Sequence, residues 1–308
     1  MIKQFLILIL LSSRLLSQSI TDYAYTGYEA TSLCGAVVAN KGDNWSLYHN
    51  PSGIVEVDHI KVSFSYSKLY NQSFFPYSNA DIIIPSNKYG SFGLSIQDMT
   101  VSYQDKDISS ETSIGFSHAI HLLNDMNSTL SLGYTVNLLG WDLGQSAGMS
   151  GDGSDGVQLG KTNIIGMNIG FLASLRNKYR VGVFIKNINQ PSIGTELSNQ
   201  PLNRRLSIGT TYYPLDNLMT SLVIDRLLGK SIQVKFGMKY RLSNLVSVNI
   251  GGQSNPNRLG SGIEINYENF IVQYSILTHQ VLPVTHQFSF GYSLDKKLLI
   301  LKANIKNL

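Results

Sequence analysis

From about residue 60 onward the chain alternates apolar and polar side chains with a period of two, segment after segment. Ile60, Val62, Phe64 and Tyr66 share one face of a strand, and Lys61, Ser63, Ser65 and Ser67 share the other. Leu130, Leu132, Tyr134, Val136 and Leu138 likewise oppose Thr129, Ser131, Gly133, Thr135 and Asn137. The same pattern returns at Phe92–Ile96, Ile114–His118, Ile165–Phe171, Val181–Ile185, Leu206–Tyr212, Leu218–Asp225, Ile232–Tyr240, Val246–Ile250, Ile263–Tyr267, Phe270–Ile276 and Phe288–Leu294. Neighbouring side chains on a strand point to opposite faces, so each segment is a strand with one bulky and one small, polar face. The count is about fourteen strands, each near the length needed to cross a tilted bilayer.

What the bulky faces meet is set by composition. Charged residues make up 14% of the 308, and glycine (27) and tyrosine (17) are frequent, whereas soluble domains carry about 25% charged residues. Bulky aliphatic faces on nearly every strand, with few charges, suit lipid outside and a polar interior. In lipid such a sheet has to close, because an open edge leaves backbone groups unpaired where no water reaches them. The fold expected is therefore all-β: a transmembrane antiparallel β-barrel of about fourteen strands, in place of a soluble sandwich or propeller.

The ends read differently. Met1-Ile2-Lys3, the apolar run Phe5–Leu11 and Ser17-Gln18-Ser19 form a signal-peptide pattern with cleavage expected near residues 17–19. The expected organisation is a signal peptide at 1–19, an N-terminal plug or hatch segment at 20–58, the barrel at 59–294 and a tail at 295–308. No later run approaches the length of a transmembrane helix. The one cysteine, Cys34, excludes an intrachain disulfide. The net charge of +4 is spread over turns, which argues against nucleic acid as a partner.

The plug segment is the long stretch without alternation. Leu33, Val37, Val38, Trp45, Leu47 and Tyr48 need something to bury against. Gly35-Ala36 permits close backbone packing, Asp43 or Asn44 caps a helical turn at Trp45–Tyr48, and Asn50-Pro51 opens a tight turn that Gly53 closes. Gly35, Ala36, Asn50, Pro51 and Gly53 are the expected structural motif. Leu33, Val37, Trp45 and Leu47 are the expected lumen or hatch lining.

These residues carry a resemblance. Gly35-Ala36 and Asn50-Pro51-Ser52-Gly53 are similar to the small-residue segment and N-P-A-G-like turn that open the FadL-type outer-membrane barrels and, among them, the PorV/PorQ group. Cys34 stands where glycine is common, Ser52 where alanine is usual, and an upstream arginine is missing from Glu29-Ala30-Thr31. Asn187–Gly194 resembles a turn of the PorV/PorQ group, and the resemblance extends to Tyr274-Ser275-Ile276 and Thr285–Phe290. It implies an integral protein of the cell outer membrane, in contact with outer-membrane lipid. Two functions follow from it. One is a PorV/PorQ-like component of type IX secretion that binds secretion-system proteins or exported clients; the other is FadL-like passive uptake of a hydrophobic small molecule such as a fatty acid or hydrocarbon.

Catalytic and metal readings find little. Six histidines are scattered, and His118 and His121, three apart on a strand, point to opposite faces. There is no phosphate-cradling loop or paired-cysteine motif, so no cofactor, no metal and no enzyme activity is expected. Trp141–Thr162, rich in glycine, serine and aspartate, reads as one long mobile loop. Asp152, Ser154 and Asp155 lack the spacing and closing glutamate of a calcium loop. Lys235, Lys239, Arg205, Glu264 and Gln233 fall on inward positions, either paired with one another around a plug or lining a path.

Overall fold

The computed structural model describes residues 23–294 apart from 24, 87, 104–105, 145, 147, 150–154, 158 and 194–199. The signal-peptide and tail assignments, Gly194, and Asp152 and Ser154 of the weighed calcium loop lie outside the described residues. The strands are β1 (Ile60–Lys68), β2 (Pro76–Ser86), β3 (Gly90–Tyr103), β4 (Lys106–Asn124), β5 (Ser128–Asp142), β6 (Lys161–Leu175), β7 (Tyr179–Lys186), β8 (Ser192–Ile193) and β9 (Gln200–Pro201). They continue as β10 (Arg205–Leu215), β11 (Leu218–Leu227), β12 (Gln233–Arg241), β13 (Val246–Gln253), β14 (Arg258–Tyr267), β15 (Phe270–Leu277) and β16 (Thr285–Leu294). All but β8 and β9 form one closed antiparallel barrel of fourteen strands. Closure is made by β1 on β16, with Val62 opposite Tyr292, Phe64 opposite Phe290 and Tyr66 opposite Phe288.

The alternation reports the two faces correctly. Phe64, Leu138, Ile165, Phe236 and Phe288 are exposed on the outside, while Ser65, Ser117, Ser131 and Thr135 are buried inside. Aromatic residues gather toward one end of the wall. Tyr179 stacks on Tyr212 at 5.0 Å, Phe270 meets Tyr292 at 4.8 Å, and the His118 ring lies on Phe92 at 4.7 Å. Such a girdle marks a membrane interface. At this same end the connections are short, at 87–89, 125–127, 176–178, 216–217, 242–245 and 268–269; the opposite end carries 69–75, 143–160, 187–204 and 278–284.

Two boundaries differ from the sequence reading. Trp141 and Asp142 pair with Thr162 and Lys161, so the Trp141–Thr162 stretch begins and ends as strand and the connection proper is 143–160. Its base continues the hairpin through Leu143 N–H to Gly160 O at 3.1 Å and Leu159 N–H to Gly144 O at 2.9 Å. The period-two pattern had already ended there, because glycines replace the apolar residues. Second, Asn187–Ile193 does more than turn: with β9 it forms a two-stranded flap, and Ile193 and Leu202 pack on the inward-facing Leu139.

The N-terminal segment lies inside the barrel. Tyr23 and Tyr25 pack with Leu69, Tyr77, Met99 and Leu277 toward the loop end, and Ile54 and Val57 pack with Ile83 and Ala119 toward the turn end. Between them are helices Gly27–Ser32 and Ser46–His49 and a 3-10 helix, Pro51–Glu56. Inward glycines make the contact close enough. A Cβ on Gly133 would lie 2.3 Å from Ser52 N, on Gly182 2.2 Å from Val38 O, and on Gly251 2.3 Å from Leu33 C. The plug backbone therefore rests directly on the wall backbone, a fit that only glycine permits.

Gly182→Ala should leave the wall intact and unseat the plug, since overpacking costs about 1–3 kcal/mol. The purified variant is expected to keep its heat-modifiable gel migration while the N-terminal segment becomes sensitive to protease. Unchanged protease resistance would show that the plug does not press on the wall there.

Candidate functional site

The plug is built from short, capped pieces. Helix Gly27–Ser32 ends with Gly35 N–H bonded to Ala30 O at 2.7 Å and Leu33 N–H to Glu29 O at 2.9 Å. This is the glycine-type helix stop, with Cys34 at φ 52° holding the left-handed position that glycine fills most easily. Asp43 Oδ1 accepts from Trp45 N–H at 2.9 Å and from the Ser46 hydroxyl at 2.9 Å, starting helix Ser46–His49. Asn50 is a two-sided clamp. Its Oδ1 accepts from Ser52 N–H at 3.2 Å, and its Nδ2 donates to Val38 O at 2.7 Å and to Phe171 O of β6 at 3.1 Å.

Charges then tie plug to wall. Lys239 on β12 donates to Glu29 of the plug at 2.9 Å and to Glu264 of β14 at 3.3 Å. Arg180 on β7 pairs with Glu56 of the plug at 2.6 Å. Higher in the lumen Lys235 bonds Asp225, whose other oxygen lies 3.8 Å from Arg205 Nε and accepts from Ser207 at 3.0 Å. Burial alone would raise the Glu29 carboxyl. The Lys239 ammonium and hydrogen bonds from Asp43, Lys239 and Asn40 outweigh burial and hold it down to about 2. Asp43 moves the opposite way, raised by its own burial and by the neighbouring Glu29 charge.

His49, half-buried, ends the second plug helix. Its Nε2 sits 2.6 Å from Thr26 O and, as donor, fixes the neutral tautomer. Burial pulls its pKa down to about 4; the Thr26 bond opposes this, while the Lys186, Lys235 and Arg205 cations add to it.

Cavities lie on either side of the plug. The first, on the loop-end side, has a volume of about 50 Å³ and is lined by Val37, Leu47, His49, Arg205, Asp225 and Lys235 among others. The second, on the turn-end side, has a volume of about 430 Å³ and is lined by Glu29, Asp43, Lys239, Arg241 and Glu264 among others.

The sequence-picked residues separate accordingly. Gly35, Val37 and Leu47 line the first chamber. Leu33 instead packs on Gly237 and Gly251 in the plug–wall apolar cluster, which Ala36 shares. Trp45, fully buried, is a wedge: a Cβ on Gly27 would fall 2.2 Å from its ring, and its Nε1 donates to Gln273 at 3.4 Å. Pro51 and Gly53 lie in the 3-10 helix, where Gly53 touches Gly42 and needs no positive φ. Of the inward polar residues, Lys235, Lys239, Arg205 and Glu264 are in ion pairs, and Gln233 bonds Asn255 O at 2.8 Å on the exposed rim. Sequence reasoning missed Arg180, Asp225 and Glu56. Arg180 shares parity with the inward Gly182, and that alternation would have found it.

No group of metal-ligating side chains occurs among the described residues, and no described helix is long and apolar enough to cross a membrane. Fold and interior together define an outer-membrane β-barrel whose lumen is occupied by its own N-terminal segment. Residues 87–256, more than half of the chain, match the family model described as "F plasmid transfer operon, TraF, protein", and the chain belongs to that family. Among solved structures it is similar to the CymD monoaromatic hydrocarbon channel, with TM-score 0.62 and 10% identity over 88% of this chain and 99% of that one. It is similar to the Pseudomonas putida toluene transporter TodX, with TM-score 0.61 and 11% identity over 89% and 99%. A Pseudomonas aeruginosa FadL homologue gives TM-score 0.57 and 10% identity over 88% and 98%. At such identity the likeness is one of fold alone, a closed outer-membrane β-barrel. The narrower PorV/PorQ assignment gains nothing from these matches. No curated protein matches the sequence.

Two outcomes follow. Lys239→Met leaves Glu29 and Glu264 buried without their cation, a loss of about 3–5 kcal/mol, and should expose the plug to protease in an otherwise heat-modifiable barrel. A depressed histidine pKa stabilises the seated plug above the unfolded value near 6.5, and that contribution is lost as pH falls through about 4. Protease resistance should therefore decline between those values, and His49→Gln should flatten the decline. A profile identical in the variant would remove His49 from this role.

Proposed function

We propose that the protein is a plug-gated outer-membrane channel admitting small molecules of hydrophobic character. One observation carries the reading: the plug lies between an outer chamber and an inner vestibule and is tied to the wall by side chains, outside the strand ladder that closes the barrel. The long connections at one end and short turns at the other put the outer chamber toward the cell exterior. Solved structures of the same fold include a monoaromatic hydrocarbon channel and a toluene transporter, which supports a hydrophobic cargo. Val37 and Leu47 supply the apolar surface at the plug's side of the chamber.

The wall beside the chamber has a weak place. β6 extends to Lys161, but its pairing with β7 begins at Ile169. Beyond that point the strand ladder gives way to bonds from the flap: Ile188 N–H to Met167 O at 2.8 Å, Met167 N–H to Asn189 Oδ1 at 3.0 Å, Asn189 Nδ2 to Ile165 O at 2.8 Å and Asn187 N–H to Asn168 Oδ1 at 2.9 Å. Asn168 and Asn187 line the chamber at this position, so parting these bonds gives cargo a sideways exit into lipid. A role in type IX secretion draws no support from the family match or the solved structures.

The test compares cells and bilayers. Cells producing the protein should take up labelled toluene faster than cells lacking it, and Leu47→Trp should slow that uptake in an assembled barrel. Deleting residues 30–54 should raise conductance in planar bilayers. Uptake no faster than in cells without the protein would rule the channel out.

A further inference from the structure

The outward wall carries a charge that the barrel leaves unanswered. Arg226 occupies an exposed outward position near the loop end of β11, opposite Leu206 of β10. Its outward neighbours are apolar: Leu206, Ile224, Leu228 and Ile232 are each between 38% and 53% exposed. Leu228 lies nearer the loop end than Arg226, so the guanidinium starts within the lipid-facing band. Among the described residues that guanidinium has no hydrogen bond, ion pair or ring contact.

The neighbouring strands offer it no acid. On β7, β10, β11 and β12 the one carboxylate is Asp225, which faces inward and is bonded to Lys235. A contrast stands on β6, where the outward Lys161 meets Asp142 of β5 at 2.6 Å. Arg226 has instead a second cation beside it. Leu228 N–H on Arg204 O at 2.9 Å extends the β10–β11 ladder, so Arg204 stands opposite Leu228 and diagonal to Arg226. Diagonal positions across an antiparallel pair lie about 7–8 Å apart, within reach of long side chains. Arg204 is exposed, and its Nη2 donates to Ile188 O at 2.8 Å and to Gln190 Oε1 at 3.3 Å. Those neutral acceptors hold the guanidinium in place without cancelling its charge.

A cation on the lipid face is destabilising, to a degree that falls toward the interface. Two guanidiniums on adjoining positions also repel. Reaching past Leu228 to water relieves the first cost and leaves the second. A phosphate relieves both, because it accepts charge-assisted bonds from the two forks at once. At this depth the phosphates within reach are those of lipid headgroups.

We propose that Arg204 and Arg226 form a binding site for the phosphate of a membrane lipid, whose acyl chains lie along Leu206, Ile224 and Ile232 on the outer wall. The site is separate from the lumen, so it rests on the outer-membrane barrel and is independent of the channel reading.

Titrating the full-length protein in neutral detergent with fluorescent phosphatidic acid, and with diacylglycerol of the same acyl chains, compares two lipids that differ by the phosphate. Phosphatidic acid should bind at least about tenfold more tightly, an advantage that shrinks as salt rises. Arg226→Gln and Arg204→Gln should each erase most of that advantage in barrels that remain heat-modifiable. Arg226→Lys should keep only part of it, because an ammonium lacks the fork. Removing a charge from the lipid face favours the barrel, so Arg226→Gln is expected to assemble. Lys161→Gln, which breaks an outward pair on another strand, should change nothing. Equal binding of the two lipids overturns the proposal, and this comparison needs no variant. An equal loss in Lys161→Gln would mark a general effect of charge and overturn it as well. So would a full advantage retained in Arg226→Gln, or complete displacement of phosphatidic acid by millimolar inorganic phosphate, which would mark a site for free anions.

Discussion

Everything in this structure depends on the closure of β1 onto β16. A bilayer offers no water to satisfy a free strand edge, so the chain must return to its first strand with backbone bonds complete. Once closed, a barrel of fourteen strands encloses more volume than its own inward side chains fill. The inward faces are moreover small, with serine at 63, 65 and 67 and glycine at 133, 182 and 251. The interior therefore needs a second body, and the N-terminal segment supplies it.

Wall and plug are matched at the level of backbone. The glycines that weaken a strand as a packing surface are the ones that let Leu33, Val38 and Ser52 reach the wall. The apolar cluster of Leu33, Val37, Val38, Leu172, Phe184 and Val223 spans both bodies, so it functions as a shared core of plug and wall. Ion pairs complete the fit by giving it one register: Glu29 and Glu56 each meet a cation on a different side of the barrel. The charge at Glu29 is notable because the motif resemblance led one to look for an arginine nearby. Here the plug supplies the acid and the wall supplies the base.

The barrel was legible because period-two alternation is a local signal that repeats in every strand, and lipid enforces it without exception. The plug was legible as a buried knot from Trp45, Leu47 and Asn50, but its geometry was not. Gly53 closes the turn opened by Asn50, with its N–H on Asn50 O at 3.0 Å, but the continuation of that turn as a 3-10 helix packed against Gly42 was not foreseen. Trp45 was expected to line a path and instead wedges against Gly27. Each of these contacts joins residues that are distant in the chain, and nothing in local spacing encodes them. The same holds for Lys235 with Asp225: inward parity places both in the lumen, yet only the folded register brings them together.

The plug's ties also limit how it opens. Breaking a buried ion pair by removing one partner costs about 3–5 kcal/mol. Releasing the Glu29 and Glu56 ties together would cost roughly 6–10 kcal/mol by that measure, leaving an open fraction on the order of one in 10⁴ to 10⁷ at about 1.4 kcal/mol per factor of ten. Wholesale ejection is thus a poor gate. The stretch between the two plug helices is less constrained. From Gly35 to Gly42 it is held by hydrogen bonds, Asn50 to Val38 O at 2.7 Å and Asn40 with Thr211 and Ser221 at 3.1 Å each. With no ion pair of its own among the described residues, this stretch would part from β7 and β10 in the proposed channel by giving up those bonds, about 0.5–1.5 kcal/mol each, together with the packing of Val37 and Val38 on Leu172, Phe184 and Val223. Val37 and Val38 lie on it, between the two cavities. Local displacement there connects chamber to vestibule without unplugging the barrel, and the ion pairs return the stretch to the same register each time.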